Sequence, residues 1–458
     1  MSEKKSRRQL LGMGAGVAAM PLVTRTLAWS NSMQSSQETR SLLSERAARF
    51  RRLILDVAKG PGGMIIAFLP FDTRTPLQEG EEPHWYLAKN LEEAWGEFSP
   101  RPTVAEWYYG ENTLWATGLL LWSQILRYRA TKEPEALETA RKCFHDLSSI
   151  FRLSRQLEPG LLGKPHGGRA GPTTSFDQAA CPVIFYTMYA LELATPAEKA
   201  EAVKNMSLHG DYYLRRNWVM NHHGNLQRIV DPAHTSAMKY LACVYAAYQL
   251  TGETKYREAA FKYLRQIINT GKLPWPSNPY EVNHNLYYWG MLCDFWKKTE
   301  IAGEFDWTSC IREYWQTAKA NLDAEGLMVF GHYDTKLRTF KPYPSKWLTS
   351  EDAKEWPAQA PKKVGKRWIS PTCLGNRSLN CALFAALALL AQSHGLDNDA
   401  HLSAVRILQR MDETTLRWFW WDDGSLPAEM KPLLNMFAPE VPAAWLVAYW
   451  MGRLQKVW

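Results

Sequence analysis

The feature that most constrains this chain is a repeated grammar: a short polar cluster feeding a helix that is apolar nearly all round. The sharpest instance runs from Gly160 to Leu191, where a glycine-rich loop holding His166 and Arg169 passes through Thr174-Ser175-Phe176-Asp177-Gln178 into an apolar stretch. A helix without a wet face is a buried helix. Similar starts occur at Tyr109-Gly110-Glu111-Asn112, Asp231-Pro232-Ala233-His234, Asn283 to Trp289, Gly375-Asn376-Arg377 and, more weakly, Pro439 to Trp445. Each buried segment is followed by an amphipathic one. The spacing of roughly 50 to 65 residues is that of a helical repeat.

The pairs read as 108–129 with 134–153, 174–191 with 196–216, 231–250 with 253–269, 283–298 with 307–322, and 375–394 with 398–417, ending in 439–454. Asp231-Pro232 looks like a helix start, because Asp caps free amides and Pro is pre-set for the first turn. Residues 217–228 suggest a hairpin-like excursion. Residues 324–372, dense in Lys, Trp and Pro, are too long for an idle connection and read as a lid or a partly disordered insert. The expected fold is all-α: an (α/α)6-type toroid, complete or incomplete, in a single domain over 29–458 with that insert.

Bulk composition narrows the function. The 458 residues are 46% hydrophobic and 12% aromatic, enough for a large core. Half of the formal charge of +8 lies in the first 28 residues, where Lys4, Lys5, Arg7, Arg8 and Arg25 outweigh Glu3. The remainder is too mildly basic to argue for nucleic acid. Ser6-Arg7-Arg8-Gln9-Leu10-Leu11 and the weakly apolar run to Val23 resemble a twin-arginine export signal over 1–28, with Thr26-Leu27-Ala28 before cleavage. The expectation is a periplasmic or secreted protein with no membrane contact once the signal is removed.

The seven cysteines show no C-x-x-C spacing, so they read as small core residues, with Cys373 and Cys381 a conceivable pair. His222, His223, Asp231 and His234 have ligand side chains without ligand spacing, and no metal or cofactor is expected. Phosphate-loop, zinc-protease and nucleophile-elbow motifs are absent.

In a ring of helix pairs the loops entering the inner helices gather at one end. The polar groups at those starts then line a funnel, for otherwise they would lower helix propensity and burial for nothing. Tyr108, Tyr109, Glu111, Asn112, Gln178, His234, Trp289, Asn376 and Arg377, with His166 in the glycine loop and His332 in the insert, are the candidate substrate contacts. Trp107, Trp115 and Trp275 offer flat faces on which sugar rings stack, and 21 tryptophans exceed what packing alone needs.

This pattern resembles the (α/α) toroids of polysaccharide lyases and of several glycoside hydrolases, the unsaturated glucuronyl hydrolases among them. Asn283-His284-Asn285-Leu286-Tyr287-Tyr288-Trp289 is similar to the Asn-Asn-His-Ser-Tyr-Trp motif of alginate lyases, with one extra residue between His and Tyr-Trp. The resemblance implies β-elimination at a uronate in a polysaccharide or oligosaccharide. Asn283 would hold the carboxylate, His284 would take the C5 proton, and Tyr287 or Tyr288 would serve as acid or base. Arg169 or Arg377 would neutralise the carboxylate. The competing chemistry is hydrolysis by Asp177 with Glu111 or Asp334. Asp177 also stands three residues after Thr174, as in a capping box. A non-catalytic glycan-binding toroid is the third reading. An isoprenoid cyclase lacks its aspartate motifs here, since Asp422-Asp423 sits beside a glycine turn.

Overall fold

The computed structural model describes residues 22–60, 63–78, 101–222, 225–231, 236–271, 273, 279–323, 326, 331–334, 339–342, 362–364, 367–369, 377–417 and 435–458. Of these, residues 22–36, 176–177, 225, 279–284, 331–334, 339–342, 362–364, 367–369 and 377 are described by their backbone alone.

Twelve helices among the described residues form six pairs. The inner helices are α3 (Thr113–Thr131), α5 (Phe176–Glu192), α7 (Ala237–Thr251), α9 (Pro279–Trp296), α11 (Arg377–Ser393) and α13 (Glu440–Leu454). Around them lie α1 (Leu22–Arg52), α4 (Pro134–Ser154), α6 (Pro196–Arg215), α8 (Thr254–Ile268), α10 (Trp307–Ala320) and α12 (Ala400–Arg410). Each inner helix packs on the next and α13 packs back on α3, closing an (α/α)6 toroid. A thirteenth helix, α2 (Val104–Gly110), stands at the entrance to α3.

Sequence dictates which helix goes inside. Leu379 and Cys381 to Leu389 of α11 have no exposure, so no face is left for water. Burying each Leu contributes about 1.5 to 3 kcal/mol. In α12, by contrast, only Ala400, Ala404, Ile407 and Leu408 are buried, the single stripe of an outer helix. Thr195 with Glu198 forms a capping box at the start of α6, and Gly252 ends α7 in the left-handed region at φ +73°. Pro182 does not break α5. It lies against Gly118 of α3, where an added Cβ would meet Pro182 Cα at 2.9 Å, so the glycine lets two inner helices approach.

The N-terminal helix closes the ring from outside. Phe50 of α1 meets Trp445 of α13 edge-on at 5.0 Å between centroids. Arg46 donates to the carbonyls of Leu408, Gln409 and Met411, which cap the end of α12.

The inner helices run in one direction. Gln178 in the first turn of α5 bonds the first turn of α3, and Arg129 at the end of α3 pairs with Glu192 at the end of α5. One end of the ring therefore collects the inner N-termini, and we call it the mouth. The segment before α13 is drawn into it by β1 (Leu69–Pro70), which pairs antiparallel with β10 (Met436–Phe437). Two more hairpins stand there: β2 (Pro165–His166) with β3 (Arg169–Ala170), and β4 (Val219–His222) with β5 (Asn225–Arg228), the excursion expected over 217–228. Within the insert, β6 (Gly331–Asp334) pairs with β7 (Thr339–Pro342) and β8 (Lys362–Val364) with β9 (Arg367–Ile369). Among the described residues, no helix is long and apolar enough to cross a membrane.

Several boundaries differ from expectation; α12, for one, stops at Arg410 and not at 417. The first buried helix is broken at Glu111-Asn112, because the Tyr109 carbonyl accepts from Ala67 N at 2.8 Å and from Thr113 Oγ1 at 2.7 Å. Helix α7 begins at Ala237, six residues after Asp231, which is exposed coil.

Candidate functional site at the mouth of the ring

Four inner helices bring polar side chains together near the mouth. Gln178 of α5 accepts from Trp115 N of α3 at 3.1 Å and donates to Asn112 Oδ1 at 2.9 Å. Trp115 Nε1–H donates to the Tyr288 hydroxyl of α9, and the two rings are 5.5 Å apart. Lys239 of α7 donates to Asn285 Oδ1 of α9, and its Nζ is 5.5 Å from the Tyr288 ring centroid. Gln178, Lys239 and Asn285 are buried, at 1%, 1% and 4% exposure. Helix packing would place leucines at these positions. Lys239 also sits where the helix dipole disfavours a cation.

Beside this cluster, at the break before α3, Lys164 Nζ lies 2.6 Å from Glu111 Oε1. Both residues are buried, and Glu111 Oε2 has no hydrogen-bond partner among the described residues. Burial pushes the Glu111 carboxyl above the usual carboxylate range, with the Lys164 charge and hydrogen bond opposing. Lys164 Nζ also stands 5.5 Å from the Trp107 ring.

The rim beyond is built from α2 and the 160–174 loop. His166 stacks on Trp107 at 4.5 Å between centroids and 19° between planes. Burial, then the Lys164 charge, pulls its ring down to about 3, which makes it a neutral packing group. Arg169 pairs with Glu106 at 2.8 Å, and Glu106 forms the capping box of α2 with Thr103. The hairpin rides close on α2, since a Cβ on Gly110 would fall 1.8 Å from the Pro165 carbonyl oxygen. A cavity of about 240 Å³ opens between this hairpin, α2, Gly60 and residues 64–66.

The structure gathers Asn112, Gln178 and Tyr288 in the polar cluster, with Glu111 beside it. It gives several other expected residues a different setting. Trp289 is fully buried against Tyr314 of α10, 5.5 Å between centroids, so it faces the outer layer and not the mouth. One step along a helix turns a side chain by about 100°, and Tyr288 already has the inward face. Tyr287 bonds Trp122 one turn and more into α3 at 3.3 Å, and burial pushes its phenol well above the ordinary range. Tyr108 packs edge-on against Phe68 at 6.0 Å, and the Tyr109 hydroxyl donates to the Leu77 carbonyl. The aromatic excess is mostly core: Trp107, Tyr108, Trp115, Tyr287, Tyr288 and Trp289 are each no more than 4% exposed.

Helix positions are described for Asp177 in the first turn of α5, for Asn283 and His284 in α9, and for Arg377 as the first residue of α11. His332 and Asp334 lie in β6. Their side chains lie outside the described residues, as do His234, Trp275, Asn376 and Cys373 altogether. Among the described residues, no three His, Cys, Asp or Glu side chains gather as a metal site. Reading the sequence missed Lys164, Lys239 and Asn285. The available signal was a lysine in the first turn of an otherwise apolar helix, Ala237-Met238-Lys239-Tyr240-Leu241.

No family model matches the chain, and neither does any curated protein. Solved structures do resemble it. A D-mannose isomerase superposes with a TM-score of 0.50 at 13% identity, over 91% of this chain and 98% of that one. A sugar epimerase from a ruminal bacterium gives 0.49 at 10% identity, over 91% and 98%. A family 76 glycoside hydrolase from a bovine Bacteroides thetaiotaomicron strain gives 0.45 at 10%, over 90% and 78%. At such identities the likeness is one of fold, and the fold held in common with the isomerase is the closed ring of helix pairs.

Proposed function

We propose that this protein is a carbohydrate-active enzyme that receives a polysaccharide or oligosaccharide at the mouth and cleaves it by β-elimination at a uronate. The observation that carries the reading is the cluster of Asn112, Gln178, Lys239, Asn285 and Tyr288, drawn from four inner helices. Their polar atoms forgo water, which favours a polar ligand meeting them. In elimination, a base removes the C5 proton while cationic or neutral donors take up charge developing on the carboxylate. His284 is the base in this reading. It lies one helical turn before Tyr288 on α9, next to Asn285. Lys239 and Asn283 serve the carboxylate, and the Tyr288 hydroxyl, which accepts from Trp115, orients the leaving oxygen by a hydrogen bond.

A second reading is hydrolysis with Glu111 as acid and Asp177 as its partner. It is favoured by the buried, raised Glu111 carboxyl with one unpartnered oxygen. Isomerisation of a free sugar draws on the same proton abstraction beside a carbonyl, and the fold likeness to a D-mannose isomerase supports measuring it too. We also propose export through the twin-arginine route, carried by Arg7-Arg8 and the apolar run behind them. Replacing both arginines by lysine should then hold the protein in the cytoplasm.

One screen separates the chemistries. Uronate-containing and neutral glycans are followed for ultraviolet absorbance of an unsaturated product, for reducing ends, and for ketose. Elimination predicts absorbance that disappears in His284→Ala. Reducing ends without absorbance, lost in Asp177→Ala, would transfer the assignment to hydrolysis. Binding without any product would make the ring a glycan-binding module.

A further inference from the structure

We infer that Lys164 is a positioning residue for Glu111: by holding Oε1 it leaves Oε2 as the atom of that carboxyl that hands a proton to a substrate oxygen at the mouth. The inference rests on the mouth being the sugar site, and it applies to elimination and hydrolysis alike, since both release an oxygen that needs a proton.

The geometry is specific. Glu111 occupies the break between α2 and α3, immediately before Asn112, whose side chain belongs to the polar cluster. Lys164 reaches it from the 160–174 loop at 2.6 Å and is 1% exposed. That loop is braced around the lysine, and Gly163 N ties it to Ser154 Oγ at the end of α4 at 3.1 Å. Lys164 N bonds the Thr173 carbonyl at 3.1 Å, Gly171 N bonds the Lys164 carbonyl at 2.6 Å, and Thr174 N bonds the Asn221 carbonyl at 3.2 Å. The remaining charged and titratable groups nearby are His166, held neutral by burial, and Arg169 with Glu106, which pair with each other. A single cation therefore addresses Glu111 Oε1, while Oε2 is buried without a partner among the described residues. Leaving a buried polar atom unmade is costly, and a substrate oxygen at Oε2 relieves that cost.

In the step itself the C–O bond breaks and its electron pair goes to the leaving oxygen. That oxygen takes the Oε2 proton. The carboxylate so formed lies against Lys164 Nζ, which stabilises it until solvent returns a proton. In elimination the C5 proton goes to the base, and its C–H pair becomes the new double bond; in hydrolysis a water forms the new C–O bond at the carbon left behind and gives its proton to the partner carboxylate.

The experiment compares the full-length wild type with Lys164→Met and Lys164→Arg, using Glu111→Gln to assign the Glu111 carboxyl signal in ¹³C-glutamate spectra. Removing an opposite charge at this distance should move the Glu111 titration up by about 1 to 3 pH units. On any glycan that turns over, the alkaline limb of kcat should move up with it while KM stays put. Lys164→Arg should restore both. If Lys164→Met does not fold, Lys164→Gln takes its place. An unmoved titration, an alkaline limb that persists in Glu111→Gln, or a loss of melting temperature with an unchanged pH profile would each overturn the inference. If the wild type turns over no glycan, the reading of the mouth fails, and the titration still decides whether Lys164 governs Glu111.

Discussion

The two ends of the ring are built on opposite principles. At the back, inner helices pass to outer ones through residues 132–133, 193–195, 252–253, 297–306 and 394–399. At the mouth, outer helices pass to inner ones through 155–175, 216–236, 269–278, 321–376 and 411–439. Carboxyls follow the same division. At the back, partners pull them down: Lys319 and Trp315 at Asp397, Arg127 and Arg51 at Glu135, Arg265 at Glu304. Burial does the reverse at the mouth, pushing Glu111 above the usual range, and in the body of α4, where it lifts Asp146 to about 7. Short loops with satisfied charges belong to folding, and long loops with strained ones to function.

The contrast predicts opposite responses to mutation. Replacing Lys239 by Met keeps the buried stem and removes the ammonium from Asn285 and Tyr288. We expect kcat on the responsive glycan to fall by about 10²- to 10³-fold, the usual cost of losing a donor aimed at developing charge. The melting temperature should hold or rise, because a buried cation is exchanged for an apolar group. A stability loss with activity intact would make the cluster a piece of scaffold. Arg46→Met tests a tie within the outer layer instead. It strips the bonds that tie α1 to the end of α12 and should destabilise by about 1.5 to 3 kcal/mol in chemical denaturation, with kcat per folded molecule unchanged.

Much of this division is legible in the sequence, and the reason is physical. Inner helices betray themselves by lacking a wet face, as Ala382 to Ala391 do, and outer ones by a single stripe, so five of the six pairs, the last inner helix and their order follow from periodicity. The long connection before Arg377 is visible by length alone. What escapes is anything set by side-chain direction. Tyr287, Tyr288 and Trp289 are adjacent in sequence, yet the first two bond Trp122 and Trp115 of inner helix α3 while the third packs on Tyr314 of outer helix α10. Lys239 and Lys164 escape because a lysine reads as a surface residue until its burial is known. The closing role of α1 escapes because its partner is some 400 residues away: Phe50 packs on Trp445.

The pH dependence of stability should differ between buried and paired carboxyls, and the sign is fixed by the direction of each shift. Asp146 is raised, by burial first and with Lys59 opposing, so its proton is held in the folded chain to about pH 7 and lost from the unfolded chain near 4. Its contribution to stability falls as pH rises across that window. Asp146→Asn should therefore gain stability over the wild type at pH 8 and lose the advantage below pH 4. Asp397 is lowered, by Lys319 first, so its contribution is present above about pH 4 and vanishes in acid. Asp397→Asn should be the less stable chain at pH 7, with the difference closing in acid. Thermal melts of both variants across pH check the pair, and slopes of the same sign would break the contrast.

The smallest expected effect is also at the back, and it tests whether exposed charges there matter singly. Arg129 and Glu192 tie the ends of α3 and α5 through two hydrogen bonds, with side chains 31% and 39% exposed. Water screens such a pair, and fixing two long side chains costs entropy, so Arg129→Met should change stability by no more than about 1 kcal/mol. Arg129 also lies over the Trp122 ring at 5.2 Å, and methionine keeps apolar contact with that face. A loss well beyond 1 kcal/mol, undiminished in high salt, would mean that the back end is held by this clasp. Packing of α3 on α5 around Gly118 and Pro182 would then be the lesser term.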